Sequence, residues 1–471
     1  MKLIVFLIGF FSALSLSAQH PGSYEEDFQL YKKALLETHP SLYRFTTKDQ
    51  FHDVLDSIEK SIDTETNEWE FFRALTGVHA MIRESHSYLG ASKDLMIQAR
   101  SAELFPLRIW LAKGRILVTG SREEAYDYLI GKEIESINGQ SVESIISSLE
   151  TFSLLNSGNN NSAMYKELSG FDNFSFAYYF NISQANQFEI VYQDGEESRS
   201  ILLHGSDDDL ADNFPKFPSE PIPPYTFVID KEADAARLTI TTFAYWVVDK
   251  SINDYKVFLK NFFSSIEENN IRNLVIDVSE NRGGEEMIGA ELLTYLIDHP
   301  FEIYNQVSTK TLDYSFTNSL PNSSKLKFPK KNFTYADSCF VLQKGEVLKR
   351  YVPKQEHKFT GNVYFISSGR SRSATNILLA LAKTHQVGTI VGQESGGTFR
   401  DLDGRWRATF NLPFSKVLVS YPVWRFKINS KGQDPQRGVI PDLPVDRSVE
   451  DILSGKKPEL EFVYQLIRNA Q

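Results

Sequence analysis

Cysteine is almost missing from this chain: Cys339 is the only one among 471 residues. No intrachain disulfide can form, so packing alone has to hold the fold together. Blocks of lysine and arginine are missing too, and 50 basic residues face 61 acidic ones for a formal net charge of −11. That balance excludes nucleic acid or anionic lipid as the main partner and suits an acidic, solubilising surface. There is no His-Glu-x-x-His zinc pair and no glycine-rich phosphate loop, so no metal or organic cofactor is expected. After the first 18 residues, no apolar run reaches the roughly 18 residues needed to cross a bilayer. No integral membrane span is expected in the mature chain.

What is present begins with a leader. Lys2 precedes a largely apolar run over residues 3–14, and the small residues Ser17 and Ala18 follow. Residues 1–18 read as a secretory signal peptide, removed on export, with an uncleaved anchor as the alternative. A cut after Ala18 leaves Leu16, larger than usual, three residues before the cut, so export is better defined than the cleavage point. The mature protein is expected in the periplasm or the medium.

An apolar share of 41% over 471 residues is ordinary for globular material, and the length implies two or three cores. Residues 22–100 read as a helical domain: Phe28, Tyr31, Leu35 and Leu36, then Phe51, Val54, Leu55 and Ile58, recur at helical spacing. Pro40 stops the first helix after His39. Over residues 104–205 short β-rich runs take over, and an Asn138-Gly139 turn leads into an amphipathic stretch. That order resembles a PDZ domain, whose exposed sheet edge captures extended peptides; a generic hairpin before a helix is the plainer alternative. The polar run at residues 156–162 and the aromatic stretch to Phe180 exceed a minimal PDZ domain and imply an insertion. Residues 206–224, acidic and proline-bearing, read as a linker. From residue 225 to 471 strands and helices alternate, which predicts an α/β layer architecture.

Two strand-to-helix junctions could carry chemistry. In Leu274-Val-Ile-Asp-Val-Ser-Glu-Asn-Arg-Gly-Gly284 an apolar strand runs into paired glycines that can present amide hydrogens to a developing oxyanion, though a plain turn looks similar. In Val363-Tyr-Phe-Ile-Ser-Ser-Gly-Arg-Ser-Arg-Ser-Ala-Thr-Asn-Ile377 another strand ends where a helix opens. A serine there has its hydroxyl beside a helix N-terminus, but serine also caps helices. Composition does not choose among Ser367, Ser368, Ser371 and Ser373.

These segments, with Gly392-Gln-Glu-Ser-Gly-Gly-Thr398 and Gly438-Val-Ile-Pro-Asp442, resemble the tail-specific and C-terminal processing serine peptidases. That superfamily includes tricorn protease and the repeats of the retinoid-binding protein of the eye. The resemblance implies a crotonase-like catalytic fold for residues 225–447, with helical and PDZ-like companions. It places the nucleophile at Ser373 and the oxyanion hole at the backbone amides of Gly283 or Gly284 and of Ala374.

One departure bears on mechanism. Processing peptidases of the bacterial and chloroplast type use a lysine that would fall at position 398, where this chain has Thr398. Another base must then activate a hydroxyl that is a weak nucleophile at its own pKa. The tricorn-like branch uses a histidine ahead of the PDZ-like region, and Glu84-Ser-His-Ser-Tyr88 looks like that motif, which implies His86 as base and Ser85 as an auxiliary member. His39, His79 and His385 are weaker candidates by position. For the acid that orients the imidazole, Pro435 occupies the simple matching position; Asp434, one residue earlier, is the choice, with a water-mediated or absent acid as its rival.

The expected protein is therefore an exported serine peptidase acting through an acyl-enzyme on extended peptides or unfolded protein tails. A noncatalytic peptide- or apolar-ligand-binding protein of the same fold is the second reading. An acyl-thioester enzyme, the third, is disfavoured by export.

Overall fold

The computed structural model describes residues 22–112, 114–169, 173–207, 223–244, 251–314, 317, 320, 323 and 326–470. The leader and most of the expected 206–224 linker lie outside the described residues. Among the described residues no helix is long and apolar enough to cross a membrane.

Three helices open the structure. Tyr24–Thr38 starts at Ser23, whose side chain accepts from the Glu26 amide, and stops at His39, because the residue before Pro40 is pushed toward extended backbone. Lys48–Ser61 and Glu68–Ile82 each begin with a reciprocal capping box, which satisfies two orphan amides per helix. The third helix ends at Arg83 in the left-handed conformation. The chain then turns through residues 84–87 into the strand Tyr88–Gly90, which pairs antiparallel with Leu418–Ile428.

This pairing shows that the helical region does not close its own core. Phe28, Tyr31, Leu35 and Leu75 pack in one cluster with Phe410, Val419 and Tyr421 from the strands Asp401–Asn411 and Leu418–Ile428. Two histidines sit in this core. His39 bonds Ser87 Oγ through Nε2 at 2.9 Å, and His79 meets the Tyr31 hydroxyl through Nδ1 at 2.8 Å. Burial holds His39 well below the usual imidazole value, helped by the charges of Arg44 and Lys310, and draws His79 down to about 3.

An unfolded histidine titrates near 6.5, so in the window below that value the unfolded chain binds more protons than the folded one. Their contribution to stability is complete above pH ~6.5 and is lost as pH falls toward the folded values, at up to about 1.4 kcal/mol per pH unit for each histidine. Burial works with the opposite sign on Asp403, raised to about 6, because there the folded state takes the extra proton between the unfolded value near 3.9 and that value. We therefore expect denaturant midpoints to begin falling just below pH 6.5 and to fall less steeply below pH 6. A midpoint flat from pH 7 to 5 would contradict the assignment of neutral buried imidazoles.

The middle region is an antiparallel sheet running Leu107–Ala112, Arg115–Ser121, Glu133–Ile137, Gln187–Asp194 and Glu197–His204. Asn138 and Gly139 both have positive φ, 50° and 73°, and join Ile137 to its partner Gln140. This two-residue turn suits the twist of the flanking strands. Helix Val142–Thr151 follows it. Residues 156–161 and helix Ser162–Leu168 then leave this sheet to touch both neighbouring regions: Gly158 N donates to Arg83 O at the end of the third helix, and Asn160 Nδ2 donates to the carbonyls of Ser395 and Gly397 in the last domain.

The last domain is α/β. Strands Ala235–Ile240, Asn273–Asp277, Asn362–Ser367, Thr389–Gly392 and Leu443–Pro444 run parallel in that order, with Tyr225–Asp230 antiparallel at one edge. Asn273–Asp277 is buried throughout, as a central parallel strand covered on both faces must be. Helices Ile252–Glu268, Glu286–Leu293 and Ala374–Thr384 contribute to the main core, while Val463 and Ile467 of Pro458–Ala470 belong to a separate cluster with Val275 and Val391. Asp277 and Ser367 end adjacent parallel strands, and both chemistry-bearing turns leave those carboxyl ends, where α/β sheets place their sites.

Candidate active site

The four serines after strand Asn362–Ser367 separate by their hydrogen bonds. Ser367 Oγ donates to Gln393 O at 2.7 Å, Ser368 Oγ to Ser279 O, and Ser371 Oγ to Val278 O at 2.9 Å. These three fasten the turn to its neighbours and are buried. Ser373 stands at the N-cap of Ala374–Thr384 yet makes no capping bond. Its φ of 54° and ψ of −126° are unfavourable for a residue with a Cβ, a strain of about 1–3 kcal/mol, and its Oγ lies 3.1 Å from His86 Nε2.

Across from it, Gly283 and Gly284 adopt φ values of 100° and 139°. A Cβ on Gly283 would sit 2.8 Å from Ser373 Cβ and 3.0 Å from the Ala374 nitrogen, so only glycine allows this approach. The two amides differ. Gly283 N–H donates to Asn281 Oδ1 at 2.9 Å, whereas among the described residues the Gly284 and Ala374 amides have no partner. The pair free to receive an oxyanion is therefore Gly284 and Ala374, with Gly283 shaping the turn. A Cβ on Gly284 would lie 2.1 Å from the Phe243 carbonyl carbon. Gly284→Ala is expected to cost about 1–3 kcal/mol of stability and to abolish most activity, checked by thermal denaturation beside turnover.

His86 comes from the other end of the chain, on the loop between helix Glu68–Ile82 and strand Tyr88–Gly90. Its Nδ1 meets Glu84 Oε1 at 2.7 Å, and its backbone N–H donates to the same oxygen at 3.2 Å. The other Glu84 oxygen accepts from the Asp403 amide at 3.1 Å and lies 3.6 Å from Arg44 Nη1. Arg44 in turn pairs with Asp403 at 2.6 Å, and Ser41 Oγ donates to the same Asp403 oxygen at 2.9 Å. Burial alone would raise the Glu84 carboxyl; the hydrogen bond and charge of His86, then Arg44, outweigh it and hold it below the usual carboxylate value. Glu84 thus stays anionic beneath the imidazole. This fixes the tautomer with Nε2 facing the serine as proton acceptor.

The remaining sequence candidates lie elsewhere. Asp434 accepts from the Gln436 amide at 2.9 Å, a local turn bond, and the carboxylate at His86 Nδ1 is Glu84. Ser85 Oγ accepts from Ser157 Oγ at 3.0 Å, linking the histidine loop to the inserted segment. His385 pairs with His299 at 3.0 Å. Sequence reasoning passed over Glu84 although it quoted the segment; its signal was the spacing of two residues, which lets one carboxylate oxygen hold both the backbone and the ring of His86. Thr398 is 4% exposed, and a Cβ on Gly158 would sit 2.8 Å from its methyl. The inserted segment thus packs over the place where a dyad lysine would stand.

Residues 234–445 match the model of peptidase family S41. Among solved structures the chain is similar to mature CPAF complexed with lactacystin, with a TM-score of 0.63 and 13% identity, over 95% of this chain and 99% of that one. Mature CPAF crystallised separately gives 0.58 and 14%, over 95% and 98%. At such identity the likeness speaks for the fold. No curated protein matches the chain by sequence.

Proposed function

We propose that this chain, whose residues 234–445 match the model of peptidase family S41, is an exported serine endopeptidase in which Ser373, His86 and Glu84 act as the catalytic triad. The observation that carries this reading is the relay of 3.1 Å from Ser373 Oγ to His86 Nε2 and 2.7 Å from His86 Nδ1 to Glu84.

In this mechanism His86 takes the Ser373 proton as Oγ attacks the scissile carbonyl carbon. The oxygen of that carbonyl gains charge between the Gly284 and Ala374 amides, donors already fixed by the backbone before the reaction begins. Glu84 stabilises the imidazolium, which passes its proton to the departing amine. Water, activated by the same imidazole, then releases the acid product from Ser373. Extended peptides and unfolded protein tails are the substrates proposed for this composite site, with the antiparallel sheet of residues 107–204, read as PDZ-like, as their holding surface.

The test is hydrolysis of unfolded casein by purified mature protein. We expect cleavage by the wild type and none by Ser373→Ala. A folded wild-type protein that leaves casein and a broad peptide library intact argues instead for the noncatalytic binding protein.

A further inference from the structure

A basic cluster flanks the oxyanion amides and takes no part in the proton relay. Arg282 lies two residues before Gly284, and Arg372 two residues before Ala374. Both guanidinium groups reach toward Glu167 on helix Ser162–Leu168, Arg282 at 2.5 Å and Arg372 only at 3.9 Å. Arg370 lies 3.7 Å from Glu167 and bonds Glu280 at 2.6 Å, while Lys166 lies 3.3 Å from Glu280. Among the described residues four cations thus share two carboxylates. The next pairs outward among the described residues, Lys457 with Asp277 and Arg447 with Glu459, are balanced.

Arg372 is the least satisfied member. Its side chain is 22% exposed, and the 3.9 Å ion pair is its closest charged contact among the described residues, too long for a hydrogen bond. Burial lowers its pKa, Glu167 opposes that shift, and the charges of Arg282 and Arg370 add to it. A further anion would relieve this crowding, and solvent reaches the guanidinium to admit one. In a chain of net charge −11, a surplus of positive charge directly before the nucleophile is a local exception.

We propose that Arg372 and Arg282 form a substrate subsite that binds a carboxylate of the peptide next to the bond to be cut. This rests on the peptidase reading of the site. Planar guanidinium forks match carboxylates through paired hydrogen bonds, so the subsite selects either an Asp or Glu side chain or a terminal carboxylate.

Binding separates this proposal from catalysis. Fluorescein-labelled peptides are titrated against mature Ser373→Ala protein in matched pairs, Glu against Gln at each position and a free C-terminus against its amide. We expect the acidic member of one pair type to bind about tenfold more tightly or better, and which pair type responds identifies the carboxylate. That preference should collapse in Arg372→Gln and Arg282→Gln versions and survive in part in Arg372→Lys, with thermal unfolding confirming that each is folded. Equal affinity within both pair types, or a preference that persists without both arginines, overturns the proposal. Failure of the peptidase reading would show separately, as a wild-type protein inert toward casein.

Discussion

Alanine at His86 is expected to lower kcat/KM for peptide hydrolysis by about a thousandfold or more, and Ser373→Ala to reach a similar floor. The double variant should be no worse than either single one. The reason is geometric: the imidazole at 3.1 Å acts only by accepting the Ser373 proton, so each group is idle without the other. Additive losses would mean that His86 serves some other purpose and that a different base stands near the serine. Because His86 is held by a loop pinned through Tyr88–Gly90 to strand Leu418–Ile428, neither change should alter the unfolding midpoint by much. Matching thermal scans therefore have to accompany the kinetics.

The second large effect is expected at Glu84. Glu84→Gln should lower kcat by about 10³ to 10⁴, because the amide can donate to Nδ1 and so favour the tautomer whose Nε2 carries the proton toward Ser373. KM should change far less, since Glu84 is 6% exposed and lies behind the ring. Asp434→Asn is the control and should stay within about twofold, as its carboxylate serves a surface turn. Reversal of this order, with Asp434→Asn crippling and Glu84→Gln mild, would return the acid role to Asp434 and leave Glu84 a buried partner of Arg44.

The two junctions were legible in the sequence because each joins an apolar run to residues with few other uses: paired glycines in one, clustered serines before a helix in the other. The α/β alternation after residue 225 and the Asn138-Gly139 turn were readable for the same local reason. Tertiary pairing was not. Nothing in the periodicity of residues 24–82 says that Phe28 and Leu75 complete their core with Phe410 and Val419, which is how a histidine near the start of the chain meets a serine 287 residues later. Nor could spacing reveal that the segment at Gly158 packs against Thr398. Asp434 was chosen by position along the chain; the carboxylate at His86 comes instead from two residues upstream, because the loop after Arg83 folds back on itself.

Reaction with a fluorophosphonate probe reports whether Ser373 is an activated nucleophile. Purified wild type, Ser373→Ala and His86→Ala are treated side by side, and the modified peptide is located by mass spectrometry. One adduct is expected, on Ser373, in wild type only. A well-folded wild type that takes no label, or one labelled at another serine, would contradict it.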